Sequence, residues 1–459
     1  MEKQNKYDLT EGNILQKLLM VSLPIMGNQF VQMAYNLADM FWLGRVGSAA
    51  VAAASTAGMY MWLSMAFTSV GAKGAEIGVS QNMGRGDLEK ARHYGETALG
   101  LAIILGTVYG AAMLLFPQQL VGFFRLEETH VTADAITYMM LVAPGIPFSF
   151  IMGAASGICI GSGNSRIPFL VNAAALALNI LLDPILISGV GMGVAGAAVA
   201  TSVAQILGAC LLLWALAKHP ARPFPTIRFL GRPRREESLQ TIRWSLPIVC
   251  ENFLFTFFAM YITRLITPWG AGALAAQKVG SQMESLSWLI GGGFSAALAA
   301  FAGQNYGGKK WDRIHQGFRM SSLFMGGWGV MVTILLYALA RPFVSAFFPN
   351  EPSVVSIGVN YIHILAVIQI PACLEGVGSG AFRGIGRTLP PSLISITCNG
   401  LRVLLAWRLS QTSLGLEGIW WAIAIGAGAR GMGTYLWYCF YKRKLPATEV
   451  LLTDEALEH

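Results

Sequence analysis

The chain has 459 residues, 54% of them hydrophobic and only 12% charged, with a formal net charge of +8. Mean hydropathy is positive, at +0.54, which excludes a chain folded mainly against water. The basic residues fall in short loops and not on one soluble face, so they set topology and do not point to nucleic acid. Cys159, Cys210, Cys250, Cys373, Cys398 and Cys439 stand singly in apolar segments, which argues against a disulfide framework or a zinc site.

In chain order, apolar runs that can cross a hydrocarbon core of roughly 30 Å as helices are predicted over residues 15–42, 49–79, 94–116, 134–158, 167–187 and 194–217. Six more follow over 240–265, 272–303, 318–340, 355–380, 389–409 and 417–441. Lipid offers no partner to an unpaired backbone group, so helix is the default, and the alternating ten-residue strands of a membrane barrel do not appear. The expectation is an all-α integral membrane protein with twelve spans. Residues 1–11 are polar and lead directly into the first span, so no removable signal peptide is expected, and Leu457–His459 is set aside as a tag remnant.

Lysine and arginine outside the spans gather on one side, at Lys3, Lys6, Arg85, Lys90, Arg92, Arg166, Lys309, Lys310, Arg313, Arg383, Arg387, Lys442, Arg443 and Lys444, and between Lys218 and Arg235. The other side carries little beyond Arg45, Arg125 and Arg341. The positive-inside rule therefore puts both termini and the middle loop in the cytoplasm. The chain also repeats at an offset of 223 residues. Ser22-Leu23-Pro24 returns as Ser245-Leu246-Pro247, Gln81-Asn82 as Gln304-Asn305, and Gly153, Gly157, Gly161, Gly163 and Pro168 as Gly376, Gly380, Gly384, Gly386 and Pro391. Six spans per copy is an even number, so both copies enter from the same side and are expected to be related by an axis along the membrane normal, the parallel-repeat plan of secondary transporters. The predicted division is an N-lobe over 1–217, a cytoplasmic linker over 218–239, a C-lobe over 240–443 and a tail over 444–459.

Carboxylates inside spans are costly and mark function. Asp39, Asp183 and Thr201 all fall in the outer half of the first bundle by topology, and Asn179 shares a helical face with Asp183 four residues on. Pro184 cannot donate to the carbonyl of Ile180, which leaves a further acceptor nearby. This oxygen-rich group could hold a proton, or a sodium ion at Asp39, Asn179 and Asp183. The matching positions in the second copy are Ile262, Arg402 and Ala406, so the fold's symmetry did not demand the cluster. Glu251, Glu284, Asn28 and Tyr35 are expected as substrate-binding residues, the two acids pairing with a cationic drug while Met, Phe and Trp side chains supply adaptable apolar surface. Lys73 and Glu76, three apart, are expected to neutralise one another. Arg402, Arg408 and Arg430 are expected to snorkel or to pair with acids such as Glu375 and Glu417. Gly161-Ser162-Gly163 and Gly384-Ile385-Gly386 follow no strand and lack a third glycine, so they read as loops and not as a nucleotide fingerprint.

Tyr35-Asn36-Leu37-Ala38-Asp39-Met40-Phe41-Trp42-Leu43-Gly44, Ser80-Gln81-Asn82-Met83-Gly84-Arg85-Gly86-Asp87, Gly384-Ile385-Gly386-Arg387-Thr388 and Asn179 through Pro184 together resemble the multidrug and toxic compound extrusion (MATE) transporters over nearly the whole chain. The resemblance implies two six-helix lobes in a V shape and export by antiport against protons or sodium. In the DinF-like branch its ion-coupling cluster falls on Asp39, Asn179, Asp183 and Thr201. Glu251 comes earlier in its span than the acid of the NorM-like pattern. The implied partners are small-molecule drugs and a counter-ion, with no cofactor and no nucleic acid, in a monomer of a bacterial or archaeal cytoplasmic membrane. Two alternatives stand beside this reading: a flippase for a lipid-linked precursor on the same fold, and a membrane enzyme, for which no HExxH or GxSxG motif is present.

Overall fold

The computed structural model describes residues 7–46, 48–124, 129–229, 231, 233–349 and 351–444. Among them the chain is helical and contains no strand. The first half runs α1 (Ile14–Val46), α2 (Ser48–Gly84), α3 (Leu88–Leu115), the short α4 (Pro117–Gly122), α5 (Thr129–Val142), α6 (Ile146–Gly161), α7 (Arg166–Asp183) and α8 (Val194–Lys218). The second half runs α9 (Arg235–Ile266), α10 (Ala271–Gly307), α11 (Trp311–Phe347), α12 (Pro352–Ala366), α13 (Gln369–Gly384), α14 (Leu389–Ser410) and α15 (Gly415–Tyr441).

Among the described residues nine helical stretches are long and apolar enough to cross a membrane, and α12 with α13, bent by 50° at their junction, makes a tenth. Helices α2 and α15, rich in alanine and glycine, are the remaining long helices and bring the spans to twelve. Helices α5 and α6 form one span interrupted by a 3-10 turn at Ala143–Gly145. Large apolar side chains point outward: Leu115, Leu181, Leu323 and Leu404 are 61 to 70% exposed. Patches of that kind are a liability in water and are what a lipid-facing surface requires.

The chain divides into two compact units. Unit 1 comprises Met1–Asp8 and Met20–Val249, and unit 2 comprises Leu9–Leu19 and Cys250–His459. Each has its own apolar core. In unit 1 it is built from residues such as Leu99, Phe150, Ile158 and Leu212. In unit 2 it is built from Leu336, Tyr361, Leu365 and Trp420. Within 218–239, expected as a linker, described residues pack on unit 1: Phe224 is 2% exposed, the Arg228 amide donates to Glu96 at 3.0 Å, and Arg234 lies 2.8 Å from His93.

The repeated glycines have one job in both units. A Cβ at Gly153, Gly157 or Gly161 on α6 would meet Thr68, the carbonyl of Ala72 or that of Glu76 on α2. A Cβ at Gly376, Gly380 or Gly384 on α13 would meet the carbonyls of Gly291, Ser295 or Ala299 on α10. Every partner pair is related by the same 223-residue offset. These seams let two backbones touch, which is how helices associate where water supplies no hydrophobic drive.

Candidate functional site

In unit 1 the site is assembled from α7 and α8, which pack on each other. Asn179 is 1% exposed, Asp183 is wholly buried and Thr201 is 5% exposed. The Asn179 amide nitrogen lies 3.5 Å from the Thr201 hydroxyl, and the Asn179 carbonyl oxygen is buried with no hydrogen-bond partner among the described residues. Helix α7 ends at Asp183, and Pro184–Gly189 form a single π-helical turn, closed where the Val190 amide reaches the Ile185 carbonyl at 2.7 Å. Proline removes a donor from the ladder, and π turns inside membrane helices often accompany functional positions. Gly196 of α8 lies against the Leu186 backbone of that turn, an approach only glycine permits, and it sets α8 close enough to bring Thr201 beside Asn179. Asp39 and Tyr35 lie on α1, but their side chains are outside the described residues.

Asn28 is half-buried on α1, with its carbonyl oxygen unpartnered among the described residues. In unit 2 Glu251 is half-buried and accepts a hydrogen bond from Ser392 at 2.8 Å. Glu284 accepts one from the Trp288 indole at 3.3 Å.

With this arrangement in view, the family comparison is direct. The MatE family model matches residues 24–185 and again 247–408, two blocks separated by the same 223 residues. The chain belongs to the MatE family. It is a multi-pass membrane transporter, and the doubled match places one family unit in each half. Among curated relatives it is 27% identical over 417 residues to the probable multidrug resistance protein NorM of Thermotoga maritima, covering 89% of this chain and 88% of that protein. It is 24% identical to the probable multidrug resistance protein YpnP of Bacillus subtilis, over 95% of this chain and 98% of that one. It is 25% identical to an FAD transporter of Shewanella oneidensis, over 94% and 96%. Crystal structures share the fold: MATE in the straight conformation, with TM-score 0.88, 22% identity and coverage of 96% and 98%, and an outward-facing MATE transporter, with TM-score 0.87, 22% identity and coverage of 96% and 99%.

Within this MatE chain, unit 2 holds charges whose pairing was left open by sequence reasoning. Arg430 on α15 is 3% exposed; its Nε donates to Glu375 on α13 at 2.9 Å, and its guanidinium lies 5.1 Å from the Trp288 ring centroid. Arg402 on α14, 9% exposed, lies 5.8 Å from the Phe255 ring centroid. Arg408 sits over Trp407 at 5.1 Å. Glu417 accepts a hydrogen bond from the Asn360 amide at 3.0 Å. The available signal was the repeat: Glu284, Glu375 and Arg430 stand where the first copy has Met61, Met152 and Leu207.

Proposed function

We propose that this MatE transporter is a secondary active exporter that moves lipophilic, cationic small molecules outward in exchange for protons or sodium ions. The observation that carries the reading is the buried Asn179, Asp183 and Thr201 group in unit 1, whose counterparts in the second copy are Arg402, Ala406 and Ala424. A carboxylate buried beside an amide and a hydroxyl can be neutral with a proton, or charged with a sodium ion among its oxygens. Exchange between those states, with Asp39 taking part, would couple the ion gradient to a change in the first lobe that releases drug outward. The names of the NorM and YpnP relatives support multidrug cargo.

Glu251 and Glu284 in unit 2 support a cationic cargo, since a carboxylate within a span can pair with a cation that lipid leaves without a partner. A site for a lipid phosphate would instead turn arginine forks toward the ligand. Glu251 and Glu284 are candidate substrate contacts in this reading, and so, separately, are Asn28 and Tyr35. The working membrane is the bacterial or archaeal cytoplasmic membrane, with both termini inside and a monomer as the functional form.

The test is ethidium efflux from proteoliposomes under a proton gradient and a sodium gradient imposed separately. Export should follow one gradient and be lost in Asp183→Asn and Asp39→Asn. Export by well-folded Asp183→Asn and Asp39→Asn at the wild-type rate refutes the coupling role, and movement of a lipid-linked substrate without ethidium transport establishes the flippase instead.

A further inference from the structure

Helix α2 carries a charged pair that the Asp183 group does not use. The Lys73 ammonium donates to Glu76 Oε2 at 2.6 Å. Glu76 is 2% exposed, and its second oxygen, Oε1, is buried with no hydrogen-bond partner among the described residues. Ion pairing therefore satisfies half of a carboxylate inside a membrane helix, an arrangement costly enough to mark function by default.

The surroundings give the pair a direction. Ser69, Lys73, Glu76 and Ser80 are spaced i, i+4, i+7 and i+11, so they form one polar stripe along α2. On one flank the α6 glycines press on Ala72 and Glu76. On the other lies the first half of α9, where the Ser245 hydroxyl donates to the Val70 carbonyl at 3.1 Å and Thr241 abuts Gly74. Thr241 is itself wholly buried, with its hydroxyl unpartnered among the described residues. From Glu76 to the end of α2 at Gly84 the helix rises only about 12 Å, toward Arg85 and the first turns of α3, whose Lys90 and Arg92 mark the side expected to be cytoplasmic. In the second copy the matching residues are Ala296 and Ala299. The fold stands without the pair, and the pair occurs in the same half of the chain as Asp183.

We propose that Glu76 is a second proton-exchange carboxylate of the transport cycle, serving the cytoplasmic half of unit 1, with Lys73 as its resident counter-charge. The proposal rests on the ion-coupled reading above and extends it inward. When Lys73 swings away, a Glu76 oxygen accepts a proton and becomes neutral. The same O–H bond breaks when the proton passes to cytoplasmic water along the stripe by Ser80, and the unchanged ammonium returns to the carboxylate. Other titratable or charged groups on the neighbouring elements are Glu89, Lys90, Arg92, His93, Tyr94, Glu96 and Tyr109 on α3, His130, Asp134 and Tyr138 on α5, Cys159 on α6, and Arg235, Glu236, Glu237 and Arg243 on the first half of α9. Arg85 and Asp87 follow α2 itself.

The experiment uses the full chain in proteoliposomes with ethidium, comparing Glu76→Gln, Glu76→Asp and Lys73→Met with Asp183→Asn. Glu76→Gln should lower proton-driven export by at least about tenfold, while equilibrium ethidium affinity stays within about twofold. Glu76→Asp should restore export, and Lys73→Met should shift the dependence of export on pH at the cytoplasmic face but not at the outer face. Wild-type export by Glu76→Gln overturns the proposal, as does transport that follows sodium alone. So does joint loss of export, ethidium affinity and thermal stability without rescue by aspartate, which marks a structural pair. If Asp183→Asn also exports normally, the coupled reading itself fails; if only Asp183→Asn is dead, the failure belongs to Glu76 alone.

Discussion

Arg430 is bound on two sides, by the Glu375 carboxylate at 2.9 Å and the face of Trp288. A buried ion pair contributes little net stability, because desolvation offsets most of the attraction, but leaving one charge without the other costs about 3–5 kcal/mol. Glu375→Leu should therefore lower the melting temperature of the detergent-solubilised protein more than Glu375→Leu combined with Arg430→Met, and differential scanning fluorimetry of the two variants checks the order. The two partners are 55 residues apart, so nothing local in the sequence announced their bond. By contrast Asn179 and Asp183 are one helical turn apart, and that spacing was enough to put them together. Lys309 marks a second limit of residue-level reading. It adopts φ 54° where the first copy has Gly86 at φ 78°, so the turn geometry persists although the residue best suited to it does not.

At the scale of elements, the glycine seams make a paired prediction. Gly157→Val and Gly380→Val each drive a branched side chain into a partner carbonyl, that of Ala72 or of Ser295. Overpacking of this kind costs roughly 1–3 kcal/mol where side chains can yield, and here the obstacle is backbone. Both variants should lose monodisperse protein to a similar extent in fluorescence-detected size exclusion, since the two copies make the same contact. Persistence of either at wild-type yield would show that the seam can open. The glycines were visible as a repeat, but their purpose was not, because it depends on which helix lies opposite. The breaks within spans carry a local mark, Pro144 and Pro147 at the 3-10 turn and Pro371 two residues into α13, because proline removes a donor from the ladder. The 50° angle between α12 and α13 could not be read from that mark alone.

At the scale of the molecule, Leu9–Leu19 belongs to unit 2 while the rest of α1 belongs to unit 1. Leu9 is wholly buried. Its amide donates to the Gln304 side chain at 2.9 Å, and its carbonyl accepts from Asn305 at 3.2 Å. Lys310 reaches the Thr10 carbonyl at 3.1 Å and Arg313 that of Gly12 at 3.1 Å. Truncating a buried leucine costs about 2–5 kcal/mol, so Leu9→Ala should lower the melting temperature clearly. Asn305→Ala should do so as well, by freeing the strap it holds. An unchanged melt in both would make the segment an ornament of unit 2.

Hydropathy, loop charge and the 223-residue repeat by themselves determined the membrane class, the twelve spans and the duplication. One-turn spacing and the repeat's asymmetry picked out Asn179 and Asp183, because span length and helical periodicity are local properties. Only the tertiary structure decided that Glu375 meets Arg430, that Glu76 keeps an oxygen unpaired beside Lys73, and that the strap at Leu9 belongs with Gln304 and Asn305. Those outcomes depend on which faces come together across tens to hundreds of residues, where packing and hydrogen-bond satisfaction choose among partners that the linear pattern leaves equivalent.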